Sequence, residues 1–102
     1  MDVPAKWRRY KCADYFESPL ATHGWWDEGG QYWYIEPAER VYEDKTRGLL
    51  VIGGPGVDDI RWGYRKSHPG IWAHYPIENE LVRLAASASE LRAGYASGRI
   101  KV

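Results

Sequence analysis

The second half of the chain carries the clearest hydrophobic pattern. Residues 49–52 read Leu-Leu-Val-Ile between two glycines, a run typical of a strand that is covered on both faces. We therefore predict a central strand there. A turn over 53–56 should follow, because three glycines accept positive φ and Pro55 fixes its own φ. The next strand is predicted to begin near Asp58.

Two alternating runs flank Ser-His-Pro-Gly at 67–70 and predict a β-hairpin, because these four residues favour turns. Pairing Lys66 with Ile71 aligns the strands so that their large apolar residues share one buried face. The pairs on that face are Ile60 with Ile77, Trp62 with Tyr75, and Tyr64 with Ala73.

The second face of this hairpin is predicted to be more polar. There Arg65 stands opposite Trp72 and Gly63 opposite His74, so that a guanidinium could lie over an indole. Arg65, Trp72 and His74 are therefore the candidate partner-binding residues. The alternative is that the amino-terminal residues Trp25 and Trp26 cover Trp72.

The remaining segments give weaker signals. Residues 1–30 show no period and are interpreted as mostly loop with short strands, whereas 31–35 is aromatic and predicts a strand. Residues 36–47 form one helical turn or a long loop. After Pro76 there are two alternatives, and one of them is a single continuous helix. The capping box at 87–90 favours the other, which has a turn at 78–80, a strand at 81–85 and a helix over 88–97 that stops at Gly98. Residues 100–102 could add an edge strand.

Composition defines the class of protein. The 102 residues suit a single domain, 1–102, with six Trp and eight Tyr in or around its core. Fourteen basic residues balance fourteen acidic ones, so the sequence predicts no nucleic-acid partner. No apolar run is long enough to span a bilayer, so no membrane association is expected. Cys12 has no partner for an internal disulfide, which favours a reducing, cytoplasmic location.

No residue pattern in the sequence indicates a catalytic reaction, so we predict that the protein is not an enzyme and has no cofactor. The turn at 53–56 lacks the third glycine of a dinucleotide site and the Lys-Ser/Thr ending of an NTPase loop. Asp58 and Asp59 match no known metal-ligand spacing with His68 or His74, so no metal site is predicted. Cys12 would need a base brought close by the fold, and the sequence around it shows no helix terminus that would activate its thiol.

The last two thirds of the chain resembles the SMI1/KNR4 family, also called the SUKH superfamily. The resemblance rests on a strand that runs into a glycine-rich turn at 50–60, on Gly-Ile-Trp-Ala-His-Tyr at 70–75, and on the capped helix start at 84–91. It implies an α+β fold: a small curved antiparallel β-sheet with a C-terminal helix packed on it.

The resemblance also implies a binding protein rather than an enzyme. Bacterial members are commonly immunity proteins that neutralise a cognate toxin, and fungal members are regulatory scaffolds. The expectation is thus a small protein-binding module with a protein partner, such as a cognate toxin. The alternative is a carbohydrate- or small-ligand-binding module that uses surface aromatics, and a small hydrolase comes third.

Overall fold

A computed structural model describes residues 1–102 of the protein. Its main element is one open antiparallel sheet of seven strands. Strands β1 and β2 pair first, β2 pairs with β4, and β4, β5, β6 and β7 then follow in order, while β3 pairs with β4 beside β2. With a C-terminal helix added, this is the predicted α+β class. The strands are β1 (Trp25–Asp27), β2 (Tyr32–Ile35), β3 (Tyr42–Asp44), β4 (Leu49–Gly53), β5 (Arg61–Arg65), β6 (His68–Tyr75) and β7 (Glu80–Ala85).

Four of the five helical segments bury apolar side chains against one face of this sheet. The five segments are a 3₁₀ turn (Ala5–Tyr10), α1 (Ala13–Phe16), α2 (Pro19–His23), a second 3₁₀ turn (Ala38–Arg40) and α3 (Ala88–Ser97). Tyr15 and Phe16 from α1 and Leu91 from α3 join Leu50 and Trp62 of the sheet in one buried cluster. We call the side of the sheet that carries this cluster the core face, and the opposite side the outer face.

The predicted central strand is confirmed. All five residues of β4 are buried, and its neighbours are β2, β3 and β5. An apolar run without alternation suits this position because both faces of β4 are covered.

The register of the predicted hairpin is wrong by two residues. Trp62 pairs with Ala73 and Tyr64 with Ile71, because the chain already turns at 66–67, where Ser67 has a φ of 65°. Arg65 pairs with His68, and an irregularity in β6 takes up the next two residues. Since a shift by two preserves the face of every side chain, Trp62 and Tyr64 remain on the core face as predicted.

The C-terminal prediction is confirmed and the amino-terminal one is corrected. Ser87 caps α3, and Gly98 ends it in the left-handed region at φ 82°. Residues 100–102 form no strand, and Ile77 is 87% exposed in a turn instead of facing Ile60. Residues 1–24 contain three short helical segments and no strand, each too short for a visible helical period.

None of the helices has the length and apolar character that a membrane crossing requires.

Candidate functional site

The outer face of the sheet carries one line of side chains across five strands. Successive strand pairings align Tyr42 of β3, Val51 of β4, Gly63 of β5, Trp72 of β6 and Arg83 of β7. Residues opposite one another in an antiparallel sheet share a face. Val51 is buried but stands outside the core cluster, as expected for a residue of the other face.

Trp72 is held at the centre of this face by its neighbours. The guanidinium carbon of Arg65 lies 4.7 Å from the centroid of the indole ring, which confirms the predicted stacking although the two residues are not directly opposite. The His68 ring packs edge-on at 5.7 Å. The indole Nε1 of Trp72 donates to the Pro69 carbonyl at 3.2 Å, and Nε of Arg83 donates to the same oxygen at 3.3 Å.

Trp72 is half-buried by these groups and not by the amino-terminal tryptophans. Trp25 instead packs against Tyr34 and Tyr95, and Trp26 packs against Trp33. The alternative that Trp25 and Trp26 cover Trp72 is therefore wrong.

Three arginines of the outer face have no carboxylate partner. The ion pairs of the chain join Arg40 to Glu36 and Arg47 to Asp44, which leaves Arg61, Arg65 and Arg83 without an acidic group within 4.0 Å. Their guanidinium groups therefore add unpaired positive charge to this face of a chain whose net charge is zero.

His74 lies on the outer face as predicted, but it is almost fully buried there and reaches only the wall of a pocket. Its residue is 5% exposed, and Nε of Arg47 donates to its Nε2 at 2.8 Å. Because arginine is always a donor, Nε2 is the acceptor in this contact. Asn79 Oδ1 stands 3.0 Å from the same nitrogen. His74 therefore lies mostly beneath its neighbours on this face, and its contact with a partner stays a prediction.

Arg47 links His74 to Asp44 at the other end of its side chain. Its Nη1 lies 2.8 Å from Asp44 Oδ2. Partial burial opposes ionisation of Asp44, but the hydrogen bonds and charge of Arg47 outweigh it and hold the pKa of this carboxyl below its ordinary value. The link fixes the loop before β4 against β6 and leaves a pocket of about 310 Å³ between Arg47 and Arg65.

A larger cleft of about 570 Å³ opens at the opposite end of the outer face. Its walls include the aromatic rings of Trp26, Trp33 and Tyr42, together with the glycine-rich turn after β4. Asp58 and Asp59 line this cleft, whereas His74 lines the smaller pocket.

Cys12 is packed in the core. It is 1% exposed, its Sγ donates weakly to the Trp7 carbonyl at 3.7 Å, and burial raises its pKa from 9.0 to about 11. Since the thiolate is the reactive form, this side chain is a poor nucleophile.

Sequence reasoning missed several members of the outer face. Tyr42 was missed because β3 has three residues, which is too short for a visible alternation. Arg83 was missed because the predicted strand at 81–85 was not aligned with the strands of the hairpin. The alternation of β7 was a usable signal, since it places Arg83 level with Trp72 once the two strands are aligned.

Comparison of the chain with protein-family models, curated proteins and solved structures finds no match.

Proposed function

We propose that this protein is a small protein-binding module that captures an acidic partner surface on the outer face of its sheet. The observation that carries the proposal is the stacked pair of Arg65 and Trp72, 4.7 Å apart on a face that no helix covers. The resemblance to the SUKH superfamily supports a partner of the toxin type, with this chain as the neutralising immunity protein.

The pair has the properties of an energetic anchor at a protein interface. Tryptophan and arginine are enriched among the few residues that supply most of the binding energy. Stacking on the indole of Trp72 already orients the planar guanidinium of Arg65, so less side-chain freedom is lost when a partner binds. No intramolecular hydrogen bond or ion pair occupies Arg65, which leaves its donors for the partner.

The charge of the face specifies the partner's chemistry. None of Arg61, Arg65 and Arg83 forms an ion pair, so a surface with exposed Asp and Glu side chains complements them. A carboxylate entering the pocket between Arg47 and Arg65 would find the unpaired guanidinium of Arg65, whose fork geometry suits two hydrogen bonds. Binding rather than catalysis also agrees with the buried, poorly nucleophilic Cys12.

Capture followed by measurement with purified components tests the proposal. The tagged chain isolates its partner from source lysate, the partner is identified and purified, and calorimetry then compares single variants. Trp72→Ala and Arg65→Ala should each weaken affinity about thirtyfold, the effect of losing roughly 2 kcal/mol at an anchor. Affinity should also fall with added salt. Growth of cells that produce the partner, with and without this chain, tests neutralisation.

Two exposed residues away from the pair provide matched controls. Arg8→Ala removes a positive charge from the amino-terminal turn, and Trp26→Ala removes an indole from the other end of the sheet. Both variants should bind with unchanged affinity. Undiminished binding by a folded Trp72→Ala variant would remove this face from the interface.

A further inference from the structure

The cleft at the β1–β2 end of the outer face combines aromatic walls with polar side chains. Trp26 of β1 and Trp33 of β2 pair across the two strands, and their ring centroids lie 5.0 Å apart at an interplanar angle of 65°. The two indoles therefore form adjacent walls that are inclined to each other. Trp26 is 39% exposed, and Tyr42, which also lines the cleft, is 48% exposed.

The polar groups of the cleft carry both charges. Glu36 and Arg40 form an ion pair at 3.5 Å, and beyond the glycine-rich turn the cleft is lined by Asp58, Asp59 and Arg61. These side chains supply carboxylate acceptors and guanidinium donors within the same cavity. An anion would meet the carboxylates and a cation would meet the guanidinium groups, so the lining suits a neutral ligand with many hydroxyl groups.

The wall that carries the two aspartates is held in place by local packing. The hydroxyl of Tyr32 donates to the Pro55 carbonyl at 2.6 Å, and its ring lies so close over Gly56 that a Cβ there would be 2.2 Å from the ring carbon Cζ. Gly56, Asp58 and Asp59 all have positive φ, at 79°, 54° and 56°. The turn is thus fitted to the ring of Tyr32, and this packing shapes the wall of the cleft.

We propose that this cleft binds a short neutral oligosaccharide. The apolar C–H face of a sugar ring packs on an indole or phenol ring, while its hydroxyl groups donate to carboxylates and accept from guanidinium groups. The volume of about 570 Å³ falls in the range of small-molecule sites. The site is separate from the Arg65–Trp72 pair, so this inference stands whether or not the proposed protein partner exists.

Nuclear magnetic resonance of the ¹⁵N-labelled full chain tests the proposal directly. The chain has six tryptophans, and their indole N–H signals can be assigned from single Trp→Phe variants. Cellohexaose, maltohexaose and chitohexaose are titrated separately to millimolar concentrations. With at least one of these sugars, the signals of Trp26 and Trp33 should shift saturably, while those of the buried Trp62 and the remote Trp72 stay in place.

Variants of exposed residues then locate the site. Trp26→Ala and Tyr42→Ala should each weaken sugar affinity about tenfold or more, and both should keep the spectrum of a folded protein because these side chains are solvent-exposed. Trp72→Ala should bind the sugar normally. The proposal fails if no sugar gives a saturable shift, if the shifts centre on Trp72, or if the folded Trp26→Ala variant binds as well as the parent.

Discussion

Trp62 and Trp72 stand on neighbouring strands but on opposite faces, and this difference decides what each contributes. Trp62 is fully buried, and its Nε1 donates to the Tyr34 carbonyl at 2.7 Å. Trp72 is half-buried under Arg65. The same side chain is therefore structural at one position and available for contact at the other.

We expect Trp62→Ala to lower the free energy of unfolding by about 3–5 kcal/mol, through lost burial and the cavity left behind. Trp72→Ala should lower it by about 1 kcal/mol, the scale of an exposed cation–π contact. Denaturant midpoints of the two variants, measured side by side, check the difference. Equal losses would mean that Trp72 is as much a part of the fold as Trp62.

Cys12 should be unreactive while the protein is folded. The residue is 1% exposed and burial raises its pKa to about 11, so little thiolate forms near neutral pH and reagents cannot reach the sulfur. Ellman's reagent should react slowly with the native protein and rapidly in denaturing urea. Fast stoichiometric reaction without denaturant would contradict the packing of the amino-terminal segment.

At the scale of elements, the capped start of α3 shows how local sequence and distant contacts combine. Ser87 Oγ accepts from the Glu90 backbone N–H at 3.1 Å, and Glu90 Oε2 accepts from the Ala86 N–H at 3.2 Å. The N–H of Ala88 is satisfied from outside the helix, by Asp14 Oδ2 at 2.9 Å. Satisfying these backbone N–H groups avoids the free-energy cost of leaving them without an acceptor.

Ser87→Ala should therefore lower the free energy of unfolding by about 1 kcal/mol, because the Glu90 N–H loses its acceptor. Ser89→Ala is the matched control: this residue is exposed two positions later, inside the helix, and alanine is the better helix former there. Thermal or urea unfolding of both variants measures the contrast. A Ser87→Ala variant as stable as the Ser89→Ala variant would contradict the cap.

Elements with strong local signals could be predicted, and elements defined by tertiary contacts could not. The run at β4, the aromatic strand β2 and the capped α3 were all visible, because burial on two faces, β-branched and aromatic content, and capping each leave a sequence pattern. Helices α1 and α2 have four and five residues. Segments of that length show no period, and packing against the sheet determines their conformation.

The candidate site divides in the same way. The stacking of Arg65 on Trp72 followed from alternation alone, because parity survives an error of two residues in register. The burial of His74 did not, since it depends on Arg47 and Asn79 arriving from two separate loops. No pattern in the hairpin itself carries that information.

For the whole molecule, buried phenols make stability sensitive to alkaline pH. Burial raises the pKa of five tyrosines above the ordinary value of 10.0, and nearby carboxylates reinforce the effect at several of them, as Asp14 does at Tyr64. Cys12 adds a thiol raised from 9.0. In every case the unfolded chain loses its proton at a lower pH than the folded one.

Ionisation of these groups should therefore not change the free energy of unfolding near neutral pH. As pH rises above about 9 to 10, the groups ionise only in the unfolded state, and the free energy of unfolding should fall. The loss should continue until the folded-state pKa values are reached or the protein unfolds. Urea titrations at stepped pH, with tyrosinate absorbance followed in parallel, measure it. Stability that stays constant into the alkaline range would contradict the burial of these phenols.

The two hydrogen bonds of Asp14 also have a consequence for synthesis of the chain. This carboxylate accepts from Tyr64 and from Ala88, which follow it by 50 and 74 residues. The amino-terminal segment is therefore synthesised well before the two donors that bind its Asp14 carboxylate. It is also synthesised before the sheet against which its aromatic side chains pack. These two contacts of residues 1–24 can form only after residues 64 and 88 have been synthesised, and we expect a nascent chain arrested before residue 64 to be cleaved by protease in this segment.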